Sequence, residues 1–238
     1  MRQTMSLRYI DPLAYDDPAR CLAPMPLRRQ IFRDGGMVRR DAAIKRGLDI
    51  ALALAALALL AVPMLLAAAA IRLTSRGPAV FSQERIGLDG RAFRMLKFRT
   101  MRRHAEACPC RQATRDDPRV TWLGAWLRRT SFDETPQLFN VLGGSMSLVG
   151  PRPHAPGTCA AGRPFEAITS RYAARHSVKP GMTGLAQVRG WRGETDTEEK
   201  LIRRVDSDLE YIATWSPRRD LSIIGRTVVE VMRMRNAW

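Results

Sequence analysis

The chain has 238 residues, enough for one sizeable domain with an additional segment. Its 39 lysines and arginines against 23 acidic residues give a formal net charge of +16, which favours anionic partners: an acidic membrane surface, phosphorylated substrates or nucleic acid. Aromatic residues make up only 7% of the chain, and no zinc-finger or RNA-binding signature is present, which argues against a nucleic-acid-binding protein.

The N-terminal part of the sequence combines a polar tail with an apolar segment. Residues 1–40 have no helical or strand periodicity, and we expect a weakly ordered tail there. The stretch from Ile50 to Ile71 has no charged residue, and as a straight helix its length of roughly 33 Å would cross a bilayer. Pro63 lies near its centre and predicts a kink or break in the helix.

The charges around the apolar segment predict its topology. Lys45 and Arg46 precede the segment, and Arg72 and Arg76 follow it. Because basic flanks are enriched on the cytoplasmic side of a membrane, both ends favour the same side. A re-entrant helix over residues 41–76, broken at Pro63, satisfies both flanks, whereas a straight span places one basic cluster on the opposite side.

The next segment predicts two short strands and two helices. Residues 79–87 and 91–101 alternate in polarity and are separated by a turn, which indicates a hairpin. Apolar residues at helical spacing predict a helix within residues 119–129, and Thr130 with Ser131 should end it. A second helix is expected from Asp133 to Leu142, with Pro136 tolerated in its first turn.

The C-terminal third predicts two further helices. Residues 147–157 are rich in proline and glycine and are expected to be irregular. A helix is expected over residues 195–215, where Thr or Asp opens it and Ser216 with Pro217 closes it. Residues 218–235 read as a basic amphipathic helix, which lies either on an anionic membrane surface or on the surface of the domain.

The adjacent carboxylates Asp133 and Glu134 stand out in so basic a chain. Ser131 with Glu134 reads as a capping box, so helix capping is one interpretation. The other is chemical, because an aspartate can form an acyl phosphate and hard oxygen ligands suit Mg²⁺. A helix N-terminus beneath the pair would help keep the carboxylates ionised, so both interpretations are compatible.

Three basic segments could supply phosphate ligands to this pair. They contain Lys97 with Arg99, Arg152 between two prolines, and the stretch from Lys179 to Arg189. Guanidinium groups match phosphate oxygens, and the prolines around Arg152 limit the order lost on binding. The cysteines offer no comparable metal site: Cys108 and Cys110 form no CxxC pair, and zinc binding with His104 is disfavoured. Together with Cys21 and Cys159, and without a secretory signal, they are expected to be reduced cytoplasmic thiols.

Several of these stretches together resemble one known family. They are "KRGLDI", "GPAVFSQERIGLDGRAFRMLKFRTM", "DPRVTWLGAWLRRTSFDETPQLFNVLGGSMSLVGPRPH", "VKPGMTGLAQVRGWRG" and "DLEYIATWS". The chain is similar to the bacterial sugar transferases, the monotopic polyprenyl-phosphate glycosyl-1-phosphate transferases, from Lys45 to Val229. It looks most like the catalytic portion of undecaprenyl-phosphate glucose phosphotransferases, members that often carry an N-terminal bundle of membrane spans.

The resemblance implies an α+β fold and a membrane enzyme. Residues 41–76 would form the re-entrant membrane helix, and residues 77–238 a small, mainly helical cytoplasmic domain with a short β-sheet and amphipathic surface helices. The enzyme would transfer a sugar 1-phosphate from UDP-glucose or UDP-galactose to undecaprenyl phosphate at the bacterial inner membrane, release UMP, and start exopolysaccharide, capsule or O-antigen synthesis. Downstream glycosyltransferases are expected partners, and nucleic acid is not.

The resemblance also assigns residue roles. Asp133 would attack the sugar-bearing phosphate and carry a covalent phosphosugar, and Glu134 would hold Mg²⁺. Lys97, Arg99 and Arg152 match phosphate-binding positions, and Lys179 and Arg189 are further candidates from their basic stretch. These roles place donor and acceptor phosphates around the carboxylate pair.

Three features depart from the family pattern: two single positions, and the basic Arg218 and Arg219 in the stretch from Ser216 to Asp220, which is normally more apolar. Val62 replaces the serine that usually precedes the proline, and Ser145 replaces a usual acidic residue. The loss of that carboxylate could weaken metal or substrate binding. It leaves open a second hypothesis, a non-catalytic membrane-anchored scaffold of the same fold that binds anionic lipid or a partner enzyme.

Overall fold

The computed structural model describes residues 39–102 and 117–233. The predicted N-terminal tail with Cys21, and the segment that contains His104, Cys108 and Cys110, lie outside the described residues. The described part is a mixture of helices and short strands that begins with one long apolar helix, as the predicted α+β class requires.

The apolar segment forms helix α1, Arg39–Thr74. Alanine and leucine are strong helix formers, and by length and composition alone the helix could cross a membrane. Pro63 lies inside this helix and the helix continues through it, so a break that ends the helix is wrong, whereas the alternative, a kink at Pro63, stays a prediction. A proline removes one backbone donor, and the hydrogen bonds of the turns on either side can carry a helix across that gap, with or without a bend.

One side of α1 presents apolar side chains that nothing in the described residues covers. These exposed residues are Leu54, Leu59, Val62, Leu65, Leu66 and Leu73. The other side packs on the rest of the chain along most of its length, with Ala53 in one buried cluster and Met64 and Ile71 in a second. The helix therefore has one face in the domain and one apolar face outside it.

The predicted hairpin is confirmed. Strands β1, Val80–Ile86, and β2, Ala92–Phe98, pair antiparallel from Val80 opposite Phe98 to Ile86 opposite Ala92. A short 3₁₀ turn joins them, in which Asp89 has a φ of 56°, a left-handed conformation that aspartate tolerates better than most residues. Strand β2 carries Lys97 toward the site described below.

Helix α2, Trp122–Arg129, begins where Thr121 Oγ1 accepts a hydrogen bond from the Gly124 amide at 2.9 Å. The second predicted helix is shorter than expected, because residues 132–134 form a 3₁₀ turn and helix α3 covers only Gln137–Leu142. Pro136 stands at the N-cap of α3, where its fixed φ suits a helix start.

The rest of the chain forms small sheets and two long helices. The expectation of irregular structure is wrong for Ser147–Val149, which form strand β3 and pair in parallel with β6, Gly181–Thr183. The predicted C-terminal helices are confirmed as α6, Glu198–Ala213, and α7, Pro217–Met232. The remaining elements are β4 Cys159–Ala160, β5 Arg163–Pro164, α4 Phe165–Ile168, a 3₁₀ turn Tyr172–Ser177 and α5 Leu185–Val188.

Polar contacts fix both ends of α1 on this domain. Lys45 Nζ forms a buried ion pair with Asp220 of α7 at 2.7 Å, and Arg46 donates to the carbonyls of the last turn of α3. At the other end, Arg99 donates to the carbonyls of Ser75 and Arg76 at 2.8 and 2.7 Å. The basic flanks of the apolar segment thus meet one and the same folded unit.

Candidate functional site

The carboxylate pair lies on the 3₁₀ turn Phe132–Glu134 between α2 and α3. Ser131 precedes it with a φ of 57°, a left-handed conformation that is strained for serine. The expected capping box is wrong: Ser131 makes no side-chain capping bond, and its Oγ instead accepts a hydrogen bond from Arg192 Nη2 at 2.6 Å. The Phe132 ring stacks on Phe98 with ring centroids 6.2 Å apart, which holds the turn against β2.

Glu134 is bound by two basic side chains. Its Oε1 accepts from Lys97 Nζ at 3.0 Å and from Arg152 Nη2 at 2.5 Å, and its Oε2 accepts from Arg152 Nη1 at 3.2 Å. Burial alone would raise the pKa of Glu134, but the charges of Arg152 and Lys97 outweigh burial and hold that pKa well below its usual value. Glu134 is therefore an anion at neutral pH.

Asp133 differs from its neighbour. The side chain is buried, and its carboxylate takes part in no hydrogen bond or ion pair within residues 39–102 and 117–233. Burial, followed by the charge of Glu134, raises the pKa of Asp133 to about 6, against the opposing charges of Lys97, Arg128 and Arg152. The expectation that a helix N-terminus keeps this carboxylate ionised is wrong, because α3 begins only at Gln137.

Three arginines that the sequence analysis did not single out complete the surroundings of the pair. Arg128, at the end of α2, donates a hydrogen bond from Nε to Thr100 Oγ1 at 2.9 Å. Its positive charge acts to lower the pKa of Asp133. Arg192 and Arg85 interact electrostatically with the Glu134 carboxylate. Burial, followed by the charge of Arg152, lowers the pKa of Arg85 to about 10. The sequence did contain a signal for Arg192: glycines flank the Trp191–Arg192 pair, and closely spaced glycines indicate a tight loop.

Five basic side chains thus surround two carboxylates: Lys97, Arg85, Arg128, Arg152 and Arg192. Burial lowers the pKa of Lys97 and Arg128, which shows that their charge is costly where it stands. A buried excess of positive charge is relieved by an anionic ligand. The arrangement is suited to bind phosphate groups beside Asp133.

The other three predicted phosphate ligands lie elsewhere. The Arg99 guanidinium donates its hydrogen bonds to the carbonyls of Ser75 and Arg76, which follow α1. Lys179 lies beside Gly144, near Arg46, and Arg189 forms an ion pair with Glu210 of α6. Within the described part of the chain, none of the three contacts the carboxylate pair.

A second layer of residues fixes Arg152. Arg175 donates Nη2 to the Arg152 carbonyl at 2.7 Å, and it forms a fully buried ion pair with Asp208 of α6, also at 2.7 Å. The backbone around Arg152 is held as well, because the Gly181 amide donates to the Pro151 carbonyl at 2.9 Å. The guanidinium that binds Glu134 therefore sits on a rigid base.

A divalent cation fits this site only as an ion shared with a ligand. The described residues contain no cluster of three or more His, Cys, Asp or Glu that could hold a metal alone. Glu134 keeps unshared lone pairs on Oε2, however, and Mg²⁺ is commonly held by one or two carboxylates together with substrate phosphates. Glu134 and, beside it, Asp133 are the residues that could hold it.

Ser145, the departure from the family pattern, is not part of this site. It lies beyond the C-terminal end of α3, whereas the carboxylate turn precedes the N-terminal end. Its Oγ is 3.2 Å from Asn140 Nδ2, and the Asn140 Oδ1 accepts from the Leu96 amide at 2.9 Å. The residue helps to join α3 to β2, so its change from an acid leaves the carboxylate pair intact.

Comparison with known proteins matches most of the chain. A family model described as "Bacterial sugar transferase" matches residues 40–234. The chain is 50% identical over 209 residues to a UDP-glucose:undecaprenyl-phosphate glucose-1-phosphate transferase of Caulobacter vibrioides, covering 87% of this chain and 77% of that protein. It is 49% identical to an undecaprenyl-phosphate glucose phosphotransferase of Komagataeibacter xylinus, over 82% of this chain. A protein of Escherichia coli with the same name as that of C. vibrioides is 49% identical over 78% of this chain. The chain spans only 37% and 39% of the length of the K. xylinus and E. coli proteins.

Proposed function

The chain belongs to the bacterial sugar transferase family, and from this premise we propose that it transfers a hexose 1-phosphate from a UDP-sugar to undecaprenyl phosphate. The relatives named above are glucose-1-phosphate transferases, which favours UDP-glucose as the donor. A relative of Streptococcus agalactiae, 40% identical, is named a galactosyl transferase, so UDP-galactose is the alternative donor.

One observation carries this proposal: Asp133 is a buried carboxylate that makes no hydrogen bond with the residues that the structure describes, and basic side chains surround it. A structural carboxylate in such surroundings would be expected to pair with a cation, as Glu134 does. Both substrates of the proposed reaction bring phosphates, which the surplus of positive charge would bind. The oxygen of Asp133 then remains available for the chemistry.

We propose a reaction in two steps at Asp133. The ionised Asp133 attacks the phosphorus that bears the sugar; a P–O bond forms, the bond to the UMP phosphate breaks, and UMP leaves with its electron pair. An oxygen of undecaprenyl phosphate next attacks the same phosphorus, which frees the Asp133 carboxylate and leaves the sugar on a lipid diphosphate. Because a carboxylate with a raised pKa is more basic, Asp133 is a better nucleophile than an exposed aspartate.

The surrounding residues act on the phosphates. Arg152 and Lys97 orient Glu134. Arg128 and Arg192, whose charges act on Asp133 and Glu134, would bind oxygens of the substrate phosphates. Mg²⁺, when bound by Glu134 and the diphosphate, would neutralise charge that develops on the leaving phosphate.

We also propose that α1 is a re-entrant element and that the domain faces the cytoplasm at the bacterial inner membrane. The contacts of Lys45 with Asp220, and of Arg99 with Ser75 and Arg76, support this topology, since both ends of α1 rest on one domain. A straight span would separate these ends by the ~30 Å of the hydrocarbon core. The exposed leucines of α1 would then enter the lipid of one leaflet.

Turnover tests the function. Protein in nanodiscs with undecaprenyl phosphate and Mg²⁺ is given UDP-glucose or UDP-galactose, and UMP and the lipid product are measured separately. We expect both products in equal amounts from one of the donors. Absence of a lipid-linked sugar with either donor would refute the proposal.

Labelling tests the topology. Single cysteines at Asp41 and Arg76, in a background without the native cysteines, are exposed to a membrane-impermeant maleimide in inverted vesicles and in spheroplasts. A re-entrant helix predicts that both cysteines react only in inverted vesicles. Reaction of one cysteine in each preparation would establish a span instead.

A further inference from the structure

A small, partly open cavity lies beside the carboxylate site. Arg152, which binds Glu134, is one of its lining residues, together with His154, Gln187, Trp191 and Arg204. The space inside it, about 10 Å³, is close to what one water molecule or one hydroxyl group needs. The cavity is therefore large enough for a single small group.

Three residues of the cavity wall each leave one buried polar atom without a hydrogen bond in the described parts of the chain. These atoms are His154 Nε2, Gln187 Oε1 and Arg204 Nε. An unpaired buried donor or acceptor is unfavourable, so three of them on residues that line one cavity are unusual. A group from outside the chain would satisfy them.

The neighbours of these atoms define what each one offers. Arg175 Nη1 lies 2.7 Å from His154 Nδ1, and because arginine can only donate, Nδ1 accepts and Nε2 carries the proton. Burial, followed by the charge of Arg175, holds the pKa of His154 well below its usual value, so the ring is neutral. The Gln187 amide nitrogen donates to the Met182 carbonyl at 3.2 Å, which leaves Oε1 as the unpaired acceptor.

The residues of the wall thus carry two unpaired donors, on His154 and Arg204, and one unpaired acceptor, on Gln187. A hydroxyl group matches this set, since it accepts two hydrogen bonds and donates one. An ionised phosphate does not match, because it has no proton to give to Gln187.

The cavity is also connected to the reacting carboxylates. The loop between Gly190 and Gly193 places Trp191 in the cavity wall, and its next residue, Arg192, binds Ser131 of the carboxylate turn. Both glycines have a positive φ, 88° and 89°, which gives this short loop its shape. Arg204 holds the loop through the Gly193 carbonyl at 2.7 Å. A ligand bound at Asp133 would have this cavity as a neighbour.

From this juxtaposition we propose that the cavity binds a sugar hydroxyl of the nucleotide-sugar donor. Gln187 Oε1 would accept the hydrogen bond that this hydroxyl donates. The inference rests on the proposed function. The hydroxyl belongs either to the transferred hexose or to the ribose, and the chemistry that recognises it is the same.

Binding to the Asp133→Asn variant in nanodiscs tests the inference without turnover. Titration calorimetry compares UDP-glucose and UDP-galactose with their monodeoxy hexose analogues, and UMP with 2′-deoxy- and 3′-deoxy-UMP. We expect one analogue to bind roughly 10- to 100-fold more weakly than its parent. Weaker binding of a deoxyhexose analogue assigns the hydroxyl to the hexose. Weaker binding of a deoxy-UMP assigns it to the ribose.

The Gln187→Met substitution in the same background identifies the cavity as the cause. Methionine keeps the volume but removes the acceptor, so the parent ligand should lose a similar factor and the sensitive analogue should lose little more. If a folded Gln187→Met variant still binds the parent ligand more tightly than the sensitive analogue by the full factor, the inference is overturned. The cavity would then hold a structural water. Equal binding of every analogue to the Asp133→Asn protein would overturn it without any Gln187 variant. Lipid product from the wild type separates these outcomes from failure of the proposed function.

Discussion

Arg152 and Glu134 form a two-pronged ion pair, with Nη2 2.5 Å from Oε1 and Nη1 3.2 Å from Oε2. Only 13% of the Glu134 side chain is exposed. Arg175 holds the backbone of Arg152, and Lys97 binds Glu134, so both partners of the pair are held in place. A carboxylate held in this way can present its remaining lone pairs to a ligand in one direction.

Replacing Arg152 by lysine tests this geometry. Lysine keeps the charge but loses the planar pair of donors, so we expect kcat/KM for UMP release to fall roughly 10- to 100-fold. Arg163→Lys is the matched control, because Arg163 pairs with Glu198 at the exposed surface, and its kcat/KM should stay within about twofold. Equal activity of the two variants would show that the fork is not needed.

Asp133→Asn should stabilise the protein at neutral pH. Burial and the charge of Glu134 raise the folded-state pKa of Asp133 to about 6, above the value of 3.8 for an exposed aspartate. The folded state therefore binds the proton more tightly, and its stability falls as the pH rises from about 4 past about 6. One pKa unit corresponds to about 1.4 kcal/mol, so removal of the charge adds at most about 3 kcal/mol above pH 7.

Thermal unfolding in EDTA measures this effect. The Tm of Asp133→Asn should exceed that of the parent at pH 7.5, and the difference should vanish below about pH 4. Asp206→Asn is the control, since Asp206 lies at the surface with Arg171, and its Tm should follow the parent at each pH. A lower Tm for Asp133→Asn at every pH would mean that the carboxylate stabilises the fold.

The Lys45–Asp220 ion pair should be essential for docking α1 on the domain. Asp220 also accepts hydrogen bonds from Tyr211 at 2.8 Å and Trp215 at 3.1 Å, so the pair lies in a filled polar network. Lys45→Met leaves Asp220 as an unpaired buried charge, and we expect a loss of about 3–5 kcal/mol in the free energy of unfolding. Asp220→Asn added to Lys45→Met should restore part of that loss.

A double-mutant cycle on protein in detergent checks the coupling between Lys45 and Asp220. The single and double variants are compared by Tm. Lys200→Met is the control, because Lys200 is partly exposed and its ammonium loses only an i,i+4 pair with the exposed Asp196. Additive losses for Lys45→Met and Asp220→Asn would show that the two side chains act independently.

Local sequence signals predicted much of this structure. Alternation and a Leu-Asp-Gly turn predicted the hairpin. A helix opened by Thr or Asp was predicted over residues 195–215, and α6 begins after Thr197, within that range. The unusual acidic pair, the family resemblance and the proline-flanked Arg152 pointed to the centre of the site. Lys97 followed from the basic stretch that it shares with Arg99 and from the family resemblance.

The remaining site contacts depend on distant parts of the chain. Lys45 and Asp220 are 175 positions apart, and no local pattern pairs them. Arg99 and Lys97 stand two residues apart on one basic stretch, yet only Lys97 reaches Glu134, because Arg99 turns to the carbonyls after α1. Ser131 was expected to cap a helix, but it has a left-handed conformation. Its hydroxyl instead accepts a hydrogen bond from Arg192, which lies 61 residues away in the sequence.

The central claim is that Asp133 carries the sugar phosphate. Wild-type protein is mixed with UDP-glucose and Mg²⁺ without lipid acceptor, quenched in acid, digested and analysed by mass spectrometry. We predict a hexose-phosphate adduct on Asp133 that disappears when undecaprenyl phosphate is added and is absent from Asp133→Asn. Lipid-linked glucose produced without any adduct at Asp133, or by the Asp133→Asn variant itself, would contradict the account.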